Sequence, residues 1–83
     1  MRIIARWENG TDHVKVESGW STDLNADVHF VSSNLPFDLL PIAFRRQVLA
    51  ESSVECDELR NVVGRWAQQE GYSRMGQTPM CEA

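Results

Sequence analysis

The sequence predicts an α+β fold, an N-terminal antiparallel β-hairpin with three strands in all, packed against two C-terminal helices. Three features carry that reading. Asn9-Gly10 interrupts a run of alternating apolar residues, Leu40 to Leu49 repeats apolar residues at helical spacing, and Cys56 to Trp66 does so again. Sheet and helices each present one apolar face, and these faces must bury against one another.

The hairpin comes first. Asn and Gly tolerate positive φ, as a two-residue type I′ turn demands. Counting outward, Glu8 faces Thr11, Trp7 faces Asp12, Arg6 faces His13, Ala5 faces Val14, Ile4 faces Lys15 and Ile3 faces Val16. One face then collects Ile3, Ala5, Trp7, Val14 and Val16. The other collects Arg2, Arg6, His13, Lys15 and Glu17, with Ile4 among them. Gly19 ends the second strand, residues 21–27 read as a polar loop, and the β-branched run Val28-His29-Phe30-Val31 reads as a third strand. A lone hairpin is marginal in water, so further cover is expected.

Ser32-Ser33-Asn34-Leu35-Pro36 is turn chemistry. A first helix is expected from Asp38 as N-cap to about Glu51, with Pro41 in its first turn and Leu40, Phe44 and Val48 on one face. Ser52 and Glu55 fit a capping box, which opens a second helix over about 53–70. Cys56, Leu59, Val62, Val63 and Trp66 form its apolar stripe, and Gly71 is a C-terminal stop. The expected domain is 1–73, and 74–83 reads as a flexible tail.

Composition bounds the function. The chain has 83 residues, 42% hydrophobic and 24% charged, with a net charge of −4. That is one globular domain with room for one core. Negative charge repels a phosphate backbone and disfavours a nucleic-acid partner. Two cysteines make no disulfide framework, no run is long enough to cross a bilayer, and no signal-peptide core opens the chain. These features predict a cytoplasmic protein with reduced thiols, as a monomer or homodimer.

No catalytic or metal site is expected, and no cofactor. His13 and His29 lie on different strands without cysteines or carboxylates at ligand spacing. Cys56 falls on an apolar stripe, where a thiol packs as a small hydrophobe, and Cys81 reads as exposed. Gly64 is a helix-interior glycine costing about 1 kcal/mol relative to Ala, which reads either as room for close approach of another element, from this chain or a partner, or as an uncompensated weak point. Trp20 follows Gly19 and precedes the polar loop, where aromatics serve as binding anchors. The nominated protein-binding surface is Arg2, Ile4, Arg6, His13, Lys15 and Trp20, with His29 and Val31 beside it.

These features favour a small non-enzymatic regulator or inhibitor that binds a larger protein. In size and architecture the chain is similar to compact acidic accessory proteins of phages and mobile elements, including anti-CRISPR proteins, which block larger host proteins. The alternative is a DNA-binding transcriptional regulator. The order of a strand at Val28–Val31, the Asn34-Leu35-Pro36 turn and two helices resembles the ribbon-helix-helix family, whose dimers insert a two-stranded ribbon into the major groove. The two helices also resemble a helix-turn-helix. A small ribonuclease-like enzyme using His13 or His29 as acid or base is a third class.

Overall fold

The computed structural model describes residues 2–76. In chain order its elements are β1 (Arg2–Asn9), β2 (Asp12–Ser21), β3 (Ala26–Ser33), two single 3-10 turns (Phe37–Leu39 and Ile42–Phe44), β4 (Gln47–Leu49), α1 (Ser53–Gln69) and β5 (Ser73–Arg74). The strands form one antiparallel sheet in the order β4-β3-β2-β1-β5. The α+β class therefore stands, but the described residues hold five strands and one α-helix in place of three and two.

The hairpin forms with a different register. Its loop is Gly10-Thr11, because Asn9 already pairs with Asp12. Gly10 has φ +62°, and neither Asn9 nor Thr11 has positive φ. Positive φ at the first loop residue alone is the type II′ pattern, which glycine leads. From Ala5 to Glu8 each expected partner moves by two residues, so these side chains keep their faces. Trp7 now opposes Val14 and Ala5 opposes Val16, which matches apolar with apolar better than the expected pairing did.

A β-bulge between Ile3 and Ala5 breaks the alternation. Two consecutive residues, Ile4 and Ala5, turn inward, each 0% exposed, while Ile3 faces Glu17 and is partly exposed. The expected positions of Ile3 and Ile4 are thus exchanged.

The expected first helix does not form. Residues 36–46 make a strap of two 3-10 turns, each following a proline in extended conformation, Pro36 at ψ 142° and Pro41 at ψ 142°. Leu40 precedes Pro41 and sits at φ −89°, ψ 137°. The Pro41 ring clashes with an α conformation at the residue before it, so helix cannot run through this point. The four-residue spacing still reported burial correctly. Leu40 packs on the core, and Phe44 and Val48 are in it.

Helix α1 matches its expected span closely. Ser52 occupies the N-cap position, but its side chain makes no capping hydrogen bond, so the expected capping box is absent. The other end closes as a Schellman motif. Gly71, at φ +83°, donates its N–H to the Gln68 carbonyl at 3.2 Å, and the Tyr72 N–H reaches the Ala67 carbonyl at 2.8 Å. Tyr72 then packs on Trp66, with ring centroids 5.4 Å apart. This turn sends the chain back along β1, where Ser73 pairs with Glu8 and Arg74 with Trp7. Arg74, expected to begin the tail, is therefore part of the sheet. Residues 77–83 lie outside the described residues.

The core lies on one side of the sheet. Ile4, Ala5, Trp7, Val14 and Val16 meet Cys56, Leu59, Val63 and Ala67 of α1, and Phe44 and Val48 close one end. A Cβ on Gly64 would lie 3.3 Å from Trp7 Cζ2. The glycine is there because the indole crosses the helix at that point. Cys56 is buried as expected, but it is disulfide-bonded, which corrects the expectation of reduced thiols.

Candidate functional site: an exposed apolar strap

The nominated hairpin face is only partly assembled. Arg6, His13 and Lys15 do share the face of the sheet turned away from α1. Ile4 does not, because the bulge buries it completely. Arg2 is exposed at the start of β1, opposite Ser18 rather than in the Arg6 and Lys15 row. Arg6 forms an ion pair with Glu8, and Glu17 accepts a hydrogen bond from the Ser32 hydroxyl. Two carboxylates are thus interleaved with the cations, and the face is mixed in charge rather than cationic. Of the flanking residues, His29 and Val31 point to the helix side of the sheet. Trp20 is 63% exposed, at the end of the sheet opposite Asp27.

The histidines are separated by the sheet. His13 is on the open face and His29 is buried on the other, 1% exposed, with neither ring nitrogen hydrogen-bonded. They form no acid–base pair. Among the described residues, no three His, Cys, Asp or Glu side chains group as metal ligands. No helix among them is long and apolar enough to cross a membrane.

The sequence reading missed the surface that the fold does build. Phe37 is 67% exposed, Leu39 60% and Ile42 81%. They stand on the proline-framed strap, whose inner residues Leu40 and Phe44 anchor it to the core. Phe44 meets Trp66 edge to face at 5.5 Å. The Arg45 guanidinium stacks over the Phe37 ring at 3.8 Å and donates hydrogen bonds to the Phe37 carbonyl at 2.6 Å and the Leu40 carbonyl at 3.2 Å. One side chain thus ties both turns of the strap together. Beside it lies an open groove of about 560 Å³ whose lining includes Leu24, Phe30, Phe37 and Phe44 together with Asp23, Arg45 and Arg46.

The signal for this surface was in the sequence. Five large apolar residues follow Pro36 within eight positions, more than one helix stripe can bury. Assigning the segment to an amphipathic helix hid the surplus. No protein-family model, curated protein or solved structure matches the chain.

Proposed function

We propose that this protein is a small non-enzymatic regulator or inhibitor that binds a larger protein through the strap. The observation that carries the reading is the exposure of Phe37, Leu39 and Ile42 on a braced backbone. Fully burying such a side chain is worth about 1.5–3 kcal/mol, which folding of the monomer leaves largely unused here. Adjacent exposed apolar residues mark interaction sites, whereas scattered ones need no explanation. The strap is held by prolines, by Arg45 and by Phe44, so docking demands little ordering. Arg45 and Arg46 outnumber Asp23 in the groove lining, which favours a partner that brings acidic groups beside its apolar centre.

The ribbon-helix-helix reading finds no support in this arrangement. That fold needs a strand followed directly by two helices. Here β3 is paired on both sides within the chain and runs into the strap and β4.

The test compares two double variants as affinity baits against extract of the native host. Phe37→Asp with Ile42→Asp should lose a partner captured by the wild type, while its circular dichroism stays unchanged. Arg6→Glu with Lys15→Glu, on the hairpin face, should retain it. Capture that survives the first pair and fails with the second would move the site back to the hairpin.

A further inference from the structure

Cys56, near the start of α1, is 0% exposed and disulfide-bonded. The 83 residues hold one other cysteine, Cys81. A sulfur in the core cannot reach a cysteine of a second copy without opening the core, which leaves Cys81 as its partner. The path of the chain fits that pairing. Helix α1 ends beside the end of β1, where the Asn9 side-chain amide donates to the Glu70 carbonyl at 3.4 Å. Strand β5 then runs antiparallel to β1, with Arg74 opposite Trp7 and the Met75 N–H on the Arg6 carbonyl at 2.9 Å. It is therefore heading back toward the start of α1. Trp7 crosses α1 at Gly64, and Cys56 stands eight residues before Gly64, a rise of about 12 Å. The seven residues from Arg74 to Cys81 reach up to about 23 Å, nearly twice that rise.

We propose that a Cys56–Cys81 disulfide is a redox latch that holds β5 on the edge of β1. Strand β5 has two residues, and an edge strand that short is not held by its own ladder. Gly71 and Tyr72 fix its near end through the turn that closes α1. The disulfide fixes its far end. It closes a ring from residue 56 to residue 81 that contains β5 and all but the first three residues of α1, and ring closure removes the freedom of the enclosed chain to swing away. Reduction takes two electrons and two protons from a dithiol, which closes to its own disulfide, and leaves two thiols. Strand β5 then keeps only its near anchor, and the β1 edge from Arg6 to Glu8 is bared. The latch is closed in an oxidising compartment and open in a reducing one. It shares no residue with the strap and stands apart from the binding reading.

Two measurements on the full chain test the latch. Alkylated, unreduced protein cut with trypsin should yield residues 47–60 linked to residues 75–83, the fragments that carry Cys56 and Cys81. Amide hydrogen exchange read by NMR then follows β5. Dithiothreitol should speed exchange of the Met75 N–H by about tenfold or more and leave the amides that join β2 to β3 unchanged. Cys81→Ser should exchange fast at Met75 with or without dithiothreitol, and Cys56→Ala with Cys81→Ala should match it. Absence of the linked fragment would overturn the pairing. Unchanged exchange at Met75 after full reduction, or equal acceleration throughout the sheet, would overturn the latch.

Discussion

At the scale of single residues, glycines and one asparagine set geometry that the rest of the chain follows. Gly10 turns the hairpin, and Gly71 turns α1 back toward the sheet. Asn34 ties the hairpin loop to the end of β3. Its side chain accepts from the His13 N–H at 2.9 Å and donates to the Thr11 carbonyl at 2.8 Å. Gly64 permits the crossing of Trp7, and this sets two opposing terms against each other. Ala at a helix interior gains about 1 kcal/mol over Gly. Its Cβ would press on the indole at 3.3 Å, which asks the ring to move by a few tenths of an ångström. Gly64→Ala should therefore change stability by less than about 1 kcal/mol, because the two terms offset. Gly64→Leu should lose about 1–3 kcal/mol, as overpacking does, because the extra carbons have only the indole to displace. Urea unfolding of the two variants measures both. A large loss in Gly64→Ala would mean that the indole is clamped. The sequence singled out Gly64 but could not name Trp7 as its partner, since the two are brought together only by docking α1 on the sheet.

At the scale of elements, the strap shows where local pattern and local stereochemistry disagree. Leu40, Phe44 and Val48 recur every four residues, which is the spacing of a helix. Pro41 disfavours the α conformation at Leu40, in that helix's first turn, and the chain reaches the same burial through 3-10 turns and a three-residue strand. Periodicity reports which side chains go inward, and it is blind to how the backbone takes them there. Phe44 is the strap's principal anchor, so Phe44→Ala should cost about 3–5 kcal/mol. It should also abolish the nuclear Overhauser contacts between residue 44 and Trp66 and release the Phe37 ring from Arg45. A loss below about 1 kcal/mol would show that the strap is held by its prolines alone. Helix α1 was legible throughout, because its stripe, its acidic start and its glycine stop all agree. Strands β4 and β5 were not, since two or three residues are too few to display alternation.

At the scale of the whole molecule, the chain closes on itself through its last described strand. Tyr72 stands between α1 and β5, and its phenol is pushed above its ordinary value of 10 by burial, with the Asp12 and Glu70 carboxylates adding to the effect. The folded state thus favours the neutral phenol more than the unfolded state does. Stability from this group is fully present below pH 10 and is lost as pH rises from 10 through the raised pKa. Urea midpoints measured from pH 8 to 12 should fall above pH 10, and Tyr72→Phe should fall less over the same range. Tyr72 is the only tyrosine, so its absorbance titration is read directly. An ordinary titration near pH 10 with the same alkaline loss in Tyr72→Phe would place the cause elsewhere.

The sequence by itself determined the α+β class, the hairpin, the third strand, the long helix and most of the core, because each follows from contacts within a few residues: turn chemistry, alternation and helical spacing. Tertiary structure decided the hairpin register, the exchange of Ile3 and Ile4, the addition of β4 and β5, and which apolar residues stay outside. Those outcomes depend on which elements compete for one limited apolar face, and that competition is settled only when the sheet, α1 and the strap pack together. The hairpin surface nominated from sequence lost Ile4 to that competition, and the strap surface was created by it.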